Sequence, residues 1–208
     1  MAESTVVVGI LVQVVIWRLV VRGVLPFWPA TVATFASLGV AAALVGDVRC
    51  CRETAEILAA VIGLASGILL YAATRVVVDL AARHQGVARI VARTYGRAEE
   101  VSFASVLAVT LLVAVPGEEL FWRGLALAET REATSAVVGA VLTWAASVGV
   151  NAAWGSAPLL AGAVVGGGLW TGLAVWSGGV LAPIASHLAW TGLMLLWPPR
   201  AARAMVPA

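Results

Sequence analysis

No Asp, Glu, Lys or Arg occurs between Glu132 and Arg200. A stretch of that length has no charged group to solvate a water-facing surface, so it must lie in lipid or in protein. One membrane crossing takes about 20 apolar residues. The interval therefore holds three, divided by the turn signals Gly155-Ser156-Ala157-Pro158 and Ser177-Gly178-Gly179.

The first half of the chain repeats the pattern on a smaller scale. Thr5 to Val21 is apolar except for Gln13 and Arg18. Gly23 to Gly46 is uncharged, with Pro26 and Pro29 near its start, and Ile57 to Thr74 and Val101 to Gly117 are uncharged too. The runs are continuous rather than alternating, which favours helices over a barrel. The prediction is an all-α polytopic transmembrane bundle of about seven helices, near 5–24, 28–45, 56–78, 102–131, 135–153, 158–176 and 180–197. The pairs Gly63/Gly67, Gly162/Gly166 and Gly168/Gly172 have the spacing that lets helix backbones approach closely in lipid. Residues 1–208 read as a single integral membrane domain, with N-terminal helices and a basic loop over 1–100 and the motif-bearing core over 101–197.

Charge decides what else the chain can be. Charged residues make up 12% of it and apolar ones 62%, against about 25% charged in a soluble domain. All 13 basic residues are Arg and the net charge is only +2, so no basic face for nucleic acid is expected. Met1-Ala2-Glu3-Ser4 lacks the basic stretch of a secretory signal, so the first apolar run is expected to stay as a helix. The neighbours Cys50 and Cys51 are expected to be incidental thiols.

The connection from Asp79 to Glu100 reads as the only substantial loop. It carries Arg83, Arg89, Arg93 and Arg97, while Arg200 and Arg203 follow the last helix. With seven spans, loop and C-terminus share a side, which the distribution of arginines makes cytoplasmic. The location predicted is a multi-pass protein of the cell membrane.

Against this background the sequence Val115-Pro116-Gly117-Glu118-Glu119-Leu120-Phe121-Trp122-Arg123-Gly124 stands out. Ionisable groups inside a span cost several kcal/mol unless paired or wet, and they mark function by default. Glu119 and Arg123 are four apart and can pair on one helical face. Glu118 lies about 100° around the helix, free for another partner. A structural salt bridge or a solvated helix end is the plainer alternative. Against the solvated end, Leu120, Phe121, Trp122, Leu125 and Leu127 carry the apolar helix onward. His187, with Thr191 one turn later, and Asn151 are the other polar candidates in the apolar half. By residue rise, Glu118 and Asn151 share a depth, and His187 reaches them only with tilt or a deeper turn.

These residues resemble the CAAX protease and bacteriocin-processing family of intramembrane endopeptidases, whose pattern is EExxxR, then FxxxH, then HxxxN. The first motif is complete in Glu118-Glu119-Leu120-Phe121-Trp122-Arg123, followed by the usual Gly124. In the third, His187 matches and Thr191 stands where Asn is expected. In the second, Asn151 replaces the His and Ser147 the aromatic. The segments Gly166 to Trp170 and Ser186 to Trp190 also look like bacterial, especially actinobacterial, members. The resemblance covers roughly 101–197.

It implies peptide-bond hydrolysis within the membrane, on a membrane-associated peptide or protein. Glu118 would activate a water that Asn151 helps hold. His187 and Thr191 would stabilise the oxyanion, and Glu119 and Arg123 would orient the helix and tune the field. No cofactor is expected. Zinc is disfavoured, because a catalytic zinc takes three protein ligands and His187 is the one histidine in the apolar half. Asn151 cannot take a proton, so the competing reading is an inactive member of the scaffold that binds peptides or partner helices. A proton-coupled transporter is a third reading, without the paired repeats it should show.

Overall fold

In the computed structural model, residues 1–96 and 100–203 are described; Arg97 of the basic connection lies outside them. The described residues form helices and no strands. α1 (Ala2–Val21) turns at Gly23, whose φ of 73° only glycine adopts freely, and α2 (Phe27–Val45) starts behind Pro26. α3 (Glu56–Ala81) is followed by α4 (Gln85–Gly96). The long α5 (Phe103–Ala133) is capped by Ser102, whose Oγ accepts from Ser105 N at 3.2 Å. α6 (Ala136–Ala152), α7 (Ala157–Ser177), α8 (Leu181–Leu196) and the short α9 (Arg200–Arg203) complete the chain.

Apolar helices stand at all seven expected places among the described residues. α1, α2, α3, α5 and α7 are long and apolar enough to cross a membrane, whereas α6 and α8 are shorter, with 17 and 16 residues. The expected spans 135–153 and 180–197 are trimmed by local chemistry. Ser135 caps α6 at its start, and Pro198-Pro199 follow the end of α8, where a helix cannot continue. The expected loop over 79–100 is corrected: α4 occupies most of it. Its arginines alternate with Val87, Ile90 and Val91 at helical spacing, so the segment is an amphipathic helix rather than irregular chain.

Two close crossings hold the bundle. α3 lies along α8, and a Cβ on Gly63 would run into Ala182 O, one on Gly67 into Ser186 O. Ser66 Oγ donates to Ser186 Oγ at 3.1 Å in the same seam. Gly63/Gly67 is thus a helix contact of the expected kind. At Gly162 and Gly168 a Cβ would find room, and at Gly172 it would meet nothing within 4 Å. The second crossing brings α2 onto α5, where a Cβ on Gly39 would sit 3.0 Å from Gly117 Cα and one on Gly117 would strike Phe35 O.

Beyond that crossing Phe121, Trp122 and Leu125 of α5 pack in one core with Trp17, Leu38 and Val150. At one end of the bundle, the 46–55 connection pins the α7–α8 turn. Arg52 N and Glu53 N donate to Ser177 O, and Val180 N and Leu181 N to Arg49 O and Cys50 O. Met1 and Glu3 lie beside Glu129 and Glu132 at the same end. α4 and α9 pack together at the opposite end. Cys50 and Cys51 are free thiols.

Candidate active site

α5 is not a regular helix where it carries the charges. Pro116 has no N–H to give to the preceding turn, and the helix widens into a π stretch over Thr110–Ala114 just before it. A second π stretch, Leu120–Ala126, follows the two glutamates immediately and contains Arg123. Such bulges recur at functional sites because they re-aim side chains within a helix.

Glu119 is fully buried, and both of its partners meet one oxygen. Arg123 Nη1 donates to Glu119 Oε1 at 3.2 Å, and His187 Nδ1 lies 2.7 Å from the same atom. A carboxylate only accepts, so the ring nitrogen facing it carries the proton. Arg123 extends across to α7, where Nη2 donates to Gly167 O at 3.2 Å. Trp170, one turn along α7, stacks on the His187 ring with centroids 3.6 Å apart and planes at 14°. The Arg123 guanidinium stands 5.6 Å from the centroid of that same indole, within cation–π range. Trp170 is therefore shared by the His187 ring and the Arg123 guanidinium, and both of these meet Glu119.

Glu118 is placed differently. It is half-buried and makes no hydrogen bond or ion pair among the described residues. The hydrogen-bond partner of His187 is Glu119 rather than Glu118.

Asn151 does not join this network. Its Nδ2 donates to Ser147 O of its own helix at 2.9 Å, and no hydrogen bond links it to Glu118, Glu119 or His187. Ser147 comes nearer: a Cβ on Gly167 would lie 3.7 Å from its Oγ and 3.3 Å from Arg123 Nη2. Thr191 Oγ1 is buried without a partner, as are Glu119 Oε2, Arg123 Nε, Trp170 Nε1 and Thr171 Oγ1. Buried polar atoms are ordinarily satisfied, so this corner of the bundle has hydrogen-bonding capacity to spare for water or substrate. Trp170 and Gly167 are the parts that sequence reasoning missed. Their three-residue spacing put them on one face, but the glycine run around them read as packing.

A hydrolytic zinc finds no ready set of ligands among the described residues. It would take three protein ligands, and among the described residues no three His, Cys, Asp or Glu groups converge to hold an ion. Glu119 Oε1 is already occupied by two donors.

No curated protein matches the chain. No solved structure matches it either. Residues 100–193 match the family model described as type II CAAX prenyl endopeptidase Rce1-like. That interval contains both glutamates, Arg123, Gly167, Trp170, His187 and Thr191, the positions that meet in space and those that carry the motif resemblance. Over residues 100–193 this multi-pass membrane protein is thus similar to the Rce1-like type II CAAX prenyl endopeptidases.

Proposed function

We propose that the protein is an intramembrane endopeptidase in which Glu118 activates the attacking water. The observation that carries this reading is the division of labour between neighbouring carboxylates. Glu119 is spent on Arg123 and His187, whereas Glu118, one residue away, is half-buried and makes no hydrogen bond or ion pair among the described residues. A general base must have its lone pairs free and within reach of the water.

The chemistry then follows from the groups present. Glu118 takes a proton from water as its oxygen bonds to the scissile carbonyl carbon. With Nδ1–H held by Glu119, a protonated His187 donates through Nε2 to the oxyanion, and Thr191 Oγ1 supplies a second donor. Fixed donors in a dry site stabilise such an anion far better than water does. When the C–N bond breaks, the leaving nitrogen takes the proton from Glu118. Glu119 is paired with Arg123 and hydrogen-bonded to His187, which lowers the cost of holding a charge inside a bilayer. Asn151 keeps the role of holding water: its amide nitrogen is committed to Ser147 O, and its carbonyl oxygen remains to accept.

Topology supports a particular orientation. With all seven apolar helices crossing, Arg83, Arg89, Arg93 and Arg200 fall at the α4–α9 end, together with Arg18 and Arg22. The acids Glu3, Glu53, Glu56, Glu129 and Glu132 gather at the other. The arginine-rich end is then cytoplasmic.

The test is cleavage by protein reconstituted in liposomes. A membrane-peptide library with prenylated C-terminal CAAX peptides as one arm is offered to wild type and Glu118→Ala. Products present with wild type and missing with the variant are expected. Identical product profiles would end the peptidase reading.

A further inference from the structure

The arginine-rich end holds a recess that the proposed chemistry does not use. Asp79, Ala82, Arg83, Ala88, Arg89 and Arg200 line an open cavity of about 420 Å³ where α3, α4 and α9 meet. Asp79 is its one acid, and both its oxygens are engaged. Oδ2 accepts from Arg75 Nε at 3.4 Å and Oδ1 from Arg200 N at 2.9 Å. Arg83, Arg89 and Arg200 form no salt bridge among the described residues. Three arginines thus line a recess whose one acid among the described residues, Asp79, is already engaged.

Its depth in the bilayer is marked independently. Trp197, half exposed, follows α8 and accepts from Tyr71 Oη at 3.0 Å and Arg75 Nη1 at 3.2 Å through its carbonyl. Exposed indoles beside tyrosine and arginine belong at the headgroup level. α4 fits the same level. It buries Val91 and Ala92, turns Ile90 outward, and keeps Arg89 and Arg93 exposed. An amphipathic helix of this kind lies along the interface rather than across it.

We propose that this recess binds the phosphate of an anionic phospholipid headgroup in the leaflet at the α4–α9 end. The guanidinium fork matches phosphate oxygens in pairs. A headgroup at this depth arrives with its acyl chains already beside α3 and α4. The proposal is independent of the peptidase reading.

Native mass spectrometry of the detergent-solubilised protein tests it, with dioctanoyl phosphatidylglycerol, dioctanoyl phosphatidylcholine and inorganic phosphate as probes. Wild type is expected to prefer the glycerol lipid by about tenfold or more, in line with roughly fivefold per arginine at a membrane surface. The triple variant Arg83→Gln/Arg89→Gln/Arg200→Gln should lose that preference. Arg18→Gln/Arg22→Gln, at the same end but outside the recess, should retain it. Equal binding of the two lipids by wild type would overturn the proposal, and so would a preference that survives in the triple variant. Loss of preference in the Arg18/Arg22 control would reduce the effect to general surface charge. Displacement of the lipid by equimolar inorganic phosphate would make this a free-anion site and refute the lipid assignment. Arg83→Gln alone, with an expected partial loss, covers the case in which the triple variant does not fold.

Discussion

His187 Nδ1 lies 2.7 Å from Glu119 Oε1, a contact between positions 68 residues apart that ties α8 to α5 inside the bundle. Removing either glutamate therefore has a different consequence. Glu118→Gln is expected to cut hydrolysis roughly 100-fold or more while leaving thermal unfolding unchanged. Glu119→Gln strands Arg123 and His187 without their anion, and breaking a buried pair this way costs about 3–5 kcal/mol. Unfolding curves in detergent, run beside the cleavage assay, separate the two. Equal destabilisation by both variants would contradict the division of labour.

Trp170 links the ring of His187 to the guanidinium of Arg123. Trp170→Phe keeps an aromatic face and should stay within a few-fold of wild-type turnover. Trp170→Ala opens a cavity worth about 3–5 kcal/mol and releases the ring of His187. The imidazole resonances of His187, followed by NMR in micelles, should broaden or split in the alanine variant and remain single in the phenylalanine one.

The α3–α8 seam has no room for side chains at Gly63 and Gly67. Gly67→Val meets the backbone carbonyl of Ser186, which cannot move aside as a side chain would. A loss of about 1–3 kcal/mol is expected, together with activity, because the residue displaced is next to His187. Gly172→Ala, with nothing within 4 Å, should be neutral in both assays.

Tyr95 on α4 donates to Met194 O at 3.3 Å, and burial pushes its phenol well above the usual tyrosine range, with the nearby Tyr71 adding to the shift. Its folded value exceeds its unfolded one, and the neutral form is the one the fold stabilises. That stabilisation is complete below the ordinary phenol pKa of about 10 and is lost as pH rises from there through the raised value. A tyrosinate absorbance titration should show a late transition that disappears in Tyr95→Phe. Its persistence in that variant would sink the assignment.

Asn151 offers no titratable nitrogen. Asn151→His is expected to raise kcat severalfold without changing unfolding, as judged by initial rates at saturating peptide. An unchanged kcat would remove position 151 from the reaction.

The parts of this architecture that could be read in advance are those governed by local spacing. Uncharged runs located the apolar helices, the four-residue interval joined Glu119 to Arg123, and Gly63/Gly67 announced a close crossing. α4 was hidden because its arginines interrupted the apolar run; Val87 and Val91 repeat at helical spacing but never form a continuous stretch. The partner of His187 was not legible at all. Sequence spacing says which residues share a face of one helix, but not which of two adjacent carboxylates a distant helix will meet.

The α3–α8 seam also bears on where homology ends. The family match begins at residue 100, yet the helix that delivers His187 is seated by Gly63 and Gly67, which precede that boundary. A fragment trimmed to the matching interval would keep every motif residue and lose the surface that sets their distances. The recognisable segment is thus not a transplantable module, because its geometry depends on two α3 positions, Gly63 and Gly67, that leave no room for a side chain.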